Sequence, residues 1–215
     1  MQKTTSTVLA LLATAWLTAA HAGTPGPSFS CDKAQTDTEK AICGDPLLAA
    51  LDLAVARAYS ALLAAKPADA SAIRTNQREM IVKRDACDAD TGCIAGLLEQ
   101  RLDAMIQATG TPGEPAKPGT YNPIPAASGA SIDVKSSDGT VTMDASAVDG
   151  SNGNLCSMSS PAAASASDGG YVFVDKDNKP IDGAPVITAL GDLLVLRGGT
   201  AYCGANVTWP MLWSE

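Results

Sequence analysis

The sequence predicts an α+β protein of two domains: a disulfide-stapled antiparallel helical N-terminal domain, then a small antiparallel β-sandwich or barrel. Three observations lead there. Residues 46–66 and 70–87 are rich in helix formers, with apolar residues at helical spacing. Cys31, Cys43, Cys87 and Cys93 stand at the extremities of that stretch. From residue 129 charged residues thin out, and short runs of β-formers alternate with turn residues. The expected boundaries are 1–22, a signal peptide; 23–107, the helical domain; 108–128, a Pro/Gly-rich linker; and 129–215, the β domain.

Lys3, the apolar run VLALLATAWL and Ala20-His21-Ala22 have the form of a signal peptide and its cleavage site. The run is too short to read as a membrane span, and no later segment reads as one. The mature chain is expected to begin near Gly23 and to be soluble, periplasmic or secreted. Residues 23–30 read as a loose leader. Thr36 and Glu39 form a capping-box pattern that starts a short helix over 37–43. Asp45-Pro46 starts the next, whose apolar face is Leu48, Leu51, Val55, Tyr59 and Leu62. Pro67 ends it, and Asp69 is placed to cap a helix carrying Ile73, Met80 and Ile81. Asp90 or Thr91 then caps a segment over 92–107 with a stripe of Ile94, Leu97, Leu98, Leu102 and Met105. The long helices span roughly 30 Å each at 1.5 Å per residue, and a short connection makes them antiparallel.

That arrangement brings the start of the first long helix, beside Cys43, to the end of the second, at Cys87. The expected bridges are therefore Cys43–Cys87 and Cys31–Cys93. The rival is two local loops, Cys31–Cys43 and Cys87–Cys93, and four cysteines allow three pairings. A unit of about 80 residues has a modest core, so each bridge matters by about 2–4 kcal/mol.

In the second half, 131–145 reads as a hairpin about Ser137-Asp138-Gly139. LCSMSS and YVFVD follow as strands, and VITAL and LLVLRG make a tight hairpin about Gly191-Asp192. The end, TAYCGANVTWPMLWS, adds one strand or two, for seven or so in all. Cys156 and Cys203 are the only cysteines of this half and are expected to pair. Asp175, Asp177 and Asn178 lack the glycine and closing glutamate of a calcium loop and read as a polar turn.

SFSCDKAQTDTEKAICGDPLLAALDLAVARAY, followed by QREMIVKRDAC, Cys93 and Arg101-Leu102, resembles the lysozyme inhibitor LprI-like N-terminal domain. The matching positions include Phe29, Cys31, Glu39, Cys43, Asp45, Asp52, Tyr59, Gln77, Arg78, Arg84, Asp85 and Cys87. The match covers residues of about 28–107. Met80 and Leu98 stand where the family carries aromatic residues. The resemblance implies an exported protein and, by the family's name, lysozyme inhibition. Tyr202-Cys203-Gly204-Ala205-Asn206 is similar to a stretch in the C-terminal half of some such proteins.

Composition narrows the function classes. The one histidine, His21, falls in the expected signal peptide. The mature chain then has no imidazole base, which rules out Ser-His-Asp and Cys-His catalysis and the usual zinc sites. No enzyme activity, cofactor or metal is expected. Six cysteines in an exported chain read as three disulfides. A net charge of −8 argues against nucleic acid and favours a cationic partner such as a lysozyme. Candidate contact residues are Asp88 and Asp90, held between two cysteines, and Trp209 and Trp213. Asp52, Arg78, Arg84, Asp85 and Arg101 read first as ion pairs that fix the helix crossing, Asp52 with Arg84 among them. The alternative function is an envelope structural or adhesion module that binds a protein or glycan through the β domain.

Overall fold

The computed structural model describes residues 25–110, 116–127, 129–137, 140–148, 155–165, 170–199 and 211–215. The expected signal peptide over 1–22, Cys203, Trp209 and the stretch from Tyr202 to Asn206 lie outside the described residues.

Local chemistry sets where the helices begin. Thr36 Oγ1 accepts from the Glu39 N–H at 3.1 Å, and Glu39 Oε2 accepts from the Thr36 N–H at 3.1 Å. This capping box opens α1, Asp37–Gly44. Asp45 Oδ1 accepts from the N–H groups of Leu47 and Leu48 at 2.8 and 3.2 Å, with Pro46 in first position of α2, Pro46–Ala65. α3 is Ala70–Asp85, and Asp69 makes no side-chain cap to it. Asp69 instead ends a 3-10 turn, Pro67–Asp69, so the expected cap is replaced by a continuous lead-in. Asp90, rather than Thr91, caps α4, Thr91–Thr109, by accepting from the Cys93 N–H at 3.0 Å.

α2 packs mainly along α4, with α3 laid against the edge of the pair. Leu48, Leu51, Val55, Ile94, Leu98 and Leu102 are buried between them. By length and composition alone α2 would suffice to cross a bilayer, against the expectation that no later segment would. Here its apolar side chains build this core.

The β half is a closed antiparallel barrel of eight strands in sequence order, β1 (Gly119–Ile124) to β8 (Leu212–Ser214), with β8 returning to β1. Of the two architectures expected, it is the barrel. The hairpin expected over 131–145 is β2 (Ser131–Ser137) and β3 (Thr140–Val148). β4 (Leu155–Ser165), β5 (Gly170–Phe173), β6 (Pro185–Leu190) and β7 (Leu193–Gly198) follow. β1 was not expected: it comes from the stretch read as linker. Gly119–Tyr121 pair with β2 and Asn122–Ile124 with β8. Pro123 therefore lies where only one side of the strand carries a ladder, a place that tolerates its missing N–H.

β7 explains the joining of the halves. Its run Leu193-Leu194-Val195-Leu196 is buried on both faces. Leu194 and Leu196 point inward with Tyr121, Met143, Phe173 and Trp213, which fill the barrel. Leu193 and Val195 point outward with Ile124, Leu190 and Leu212 and share one core with the helices. Burying each Leu or Val is worth about 1.5–3 kcal/mol. The halves are thus not beads on a linker.

The disulfides correct the expected pairing. Cys31 bonds Cys43 and Cys87 bonds Cys93, each pair with Cα atoms 5.8 Å apart. The crossed pairs Cys43–Cys87 and Cys31–Cys93 do not form. The start of α2 does lie beside the end of α3, as the Asp52–Arg84 pair shows, but the sulfurs find nearer partners within their own segments. The chain instead doubles back locally: a 3-10 turn at Cys31–Lys33 runs into α1, and the short turn after α3 returns Cys93 over Cys87. Cys156 is disulfide-bonded, and its expected partner Cys203 lies outside the described residues.

Candidate functional site

The end of the helical half that carries both disulfides gathers three of the charged residues singled out by sequence, Asp52, Arg84 and Asp85, while Arg78 bonds Thr75 along α3. Thr38 Oγ1 donates to the Asp85 carbonyl at 3.4 Å and ties α1 to the end of α3. Glu39 accepts from the N–H groups of Gln35 and Thr36, and these bonds hold its carboxyl below the ordinary value, with the Arg84 charge adding to the effect.

Beneath this surface lies a closed network. Asp52 Oδ2 accepts from Ser28 N–H at 2.9 Å and Ser28 Oγ at 2.6 Å. Asp52 Oδ1 accepts from Arg84 Nη1 at 3.2 Å. Arg84 Nε and Nη2 donate to Asp85 Oδ1 at 3.0 and 2.8 Å. Asp52 and Arg84 are buried, so they fix the helix crossing and present nothing to a partner. Ser28 and Phe29 are correspondingly fixed, against the expectation of a loose leader: Ser28 by Asp52, Phe29 by the helical core. Tyr59 packs on the edge of that core. Arg101 is half-buried and donates to Gln77 Oε1 at 3.2 Å; burial lowers its pKa.

The candidate contact residues separate. Asp88 and Asp90 are both exposed and share the turn closed by Cys87–Cys93. Asp88 has a φ of 51°, a left-handed backbone that Asp tolerates better than most residues. Asp90 is anchored by its cap to Cys93. Trp213 is fully buried inside the barrel and leaves the candidate contact set. Trp209 lies outside the described residues. The Asp175–Asn178 segment is a polar turn: Asp175 Oδ1 accepts from the N–H groups of Asp177 and Lys179, both at 2.9 Å. Among the described residues no group of His, Cys, Asp and Glu gathers to hold a metal ion.

Sequence reasoning missed the contacts between the halves. Arg57 Nη1 donates to the Leu190 carbonyl at 2.6 Å and pairs with Asp192. Burial pushes the Asp192 carboxyl up, but the hydrogen bond and charge of Arg57 outweigh it, and the net shift is downward. Gly191 has a φ of +72°, and a Cβ there would come within 3.2 Å of the Arg57 guanidinium. The positive φ is what calls for glycine at this turn. Arg197 Nη1 meets Asp103 Oδ1 at 3.2 Å. The signal was present in α2, which carries only two charged residues, Asp52 and Arg57. Both reach across to another element.

No family model matches the chain, and no curated protein or solved structure matches it. The expected resemblance to the LprI-like domain draws no support from these comparisons. The turn at Cys87–Cys93 can offer two carboxylates to a cation without ordering a loop first.

Proposed function

We propose that this is an exported, non-catalytic binding protein that inhibits a lysozyme by occluding its cleft. The observation that carries the reading is the turn from Cys87 to Cys93. It exposes Asp88 and Asp90 while a disulfide and a helix cap hold its backbone. Three further points support it. The ordered residues from Phe29 to Leu102 resemble the inhibitor-like domain. The net charge of −8 steers encounter with a basic partner. The intramolecular disulfides of the helical half suit an oxidising compartment, the periplasm or the outside of the cell.

The pre-ordered acidic turn would meet the basic rim of the cleft, and the helical unit behind it would block access to peptidoglycan. An adhesion role through the β domain would have to use the outside of the barrel, since Trp213, Tyr121 and Phe173 fill the inside.

The test is turbidity clearing of cell walls by c-, g- and i-type lysozymes with micromolar purified protein. At least one type should be inhibited. Asp88→Asn with Asp90→Asn should slow association about tenfold and leave the melting temperature unchanged, because Asn still caps a helix and tolerates a positive φ. Full activity of all three lysozymes would end the proposal.

A further inference from the structure

α3 touches the rest of the protein along one line. Its buried residues are Ile73, Met80 and Arg84. The opposite face is open and carries Ile81 and Val82, 37% and 69% exposed, the two exposed large hydrophobics among the described residues. At about 100° of rotation per residue, Arg74, Arg78, Ile81, Val82 and Asp85 fall within one arc of about 100°.

The order of charge along that arc is the informative feature. It runs base, base, apolar, apolar, acid, and the chain continues to exposed Asp88. Such an order is complementary to its own reverse. A second α3 laid antiparallel, with a two-fold axis between Ile81 and Val82, sets Ile81 opposite Val82 and Arg78 opposite Asp85. The charges are also available. Among the described residues Arg74 and Arg78 form no ion pair. Arg78 donates from Nη2 to Thr75 Oγ1, one bond from a group with five donors. Both Arg84 bonds to Asp85 fall on Oδ1, which leaves Oδ2 for a further donor.

We propose that the open face of α3 is a self-association surface on which a second copy of this chain packs its own α3 antiparallel across Ile81 and Val82. Arg78 of each copy meets Asp85 of the other. A second copy fits better than a foreign helix because one stretch holds both halves of the pattern, as an isologous two-fold contact requires. A single helix pair buries less than the roughly 1,200 Å² of a standard interface, so the dimer is weak and exchanging, with a Kd on the order of 100 μM.

Sedimentation equilibrium on the purified protein tests this. The wild type should pass from monomer to dimer as concentration rises through that range. Val82→Asp changes an exposed side chain and should weaken association at least tenfold. Arg78→Glu and Asp85→Arg should each be monomeric alone, yet associate when mixed, because each then supplies the charge the other has lost. Asp85 touches Arg84, so a second pair repeats the experiment without that contact: Ile81→Lys mixed with Val82→Asp, which face each other in this register and are exposed. Circular dichroism checks that each variant is folded. The proposal is overturned by a wild type that stays monomeric at about 1 mM. It is equally overturned by Val82→Asp associating as the wild type does, or by reversed pairs that fail to associate on mixing.

Discussion

Asp52 sits on a helix with only one other charge, and it is tolerated there because both of its oxygens are occupied. A buried pair of this kind is an unsure source of net stability, but breaking it is costly. Asp52→Ala would leave Arg84 to Asp85 alone, with Nη1 unpaired in the core, and release Ser28. The expected loss is about 1–3 kcal/mol, read from the urea midpoint at unchanged slope. Adding Arg84→Met should recover part of it, because the unpaired buried donor is then gone. The pairing of Asp52 with Arg84 was legible in the sequence, since an antiparallel return of the chain brings those positions together. The tie from Ser28 was not. Its segment is Gly-, Pro- and Ser-rich, and only the second oxygen of Asp52, a tertiary partner, orders it.

At the scale of elements, the helices were readable almost to their ends because their start signals are chemical. Thr36 with Glu39, Asp45 with Pro46, and Asp90 all cap as those residue types do. Most strands were readable from alternation and turns. β1 was not, because Pro123 and Pro125 write the composition of a linker over a strand that each neighbour holds by half. The disulfide pairing was hidden for a different reason. The sequence shows two long helices that could close a hairpin, while the packing makes α4, not α3, the main partner of α2. The Asp88 and Asp90 turn was legible as a place, and its local closure stood there as the rival pairing, the one that forms. β7 carries the sharpest test at this scale. Leu193 points away from the barrel interior, yet it belongs to the core shared with the helices. Leu193→Ala should cost about 2–5 kcal/mol by thermal or urea unfolding. Thr142→Ala, on an outward position of β3 far from that core, should stay within about 0.5 kcal/mol. Equal effects at the two sites would mean that the outward face of β7 is not a core.

For the molecule as a whole, two halves of different class share apolar side chains and two cross-ties, Arg57 to the β6–β7 turn and Arg197 to Asp103. They should unfold together. Heating should give one transition, at the same temperature by helical circular dichroism and by tryptophan fluorescence. A fragment over 116–215 would uncover Ile124, Leu193, Val195 and Leu212 and should bind a hydrophobic dye or aggregate where the full chain does neither. Two well-separated transitions, or a soluble fragment that ignores the dye, would show the halves to be independent. Such a fragment begun at 129 would also lack β1 and leave the barrel open. Zipping the first strand to the last has one more result. Among the described strands the closed ring leaves no full edge strand on which a stray chain can grow by adding its own. Fibril templating, a hazard for any long-lived sheet protein stored at high concentration, is thereby denied its starting point in this half of the molecule.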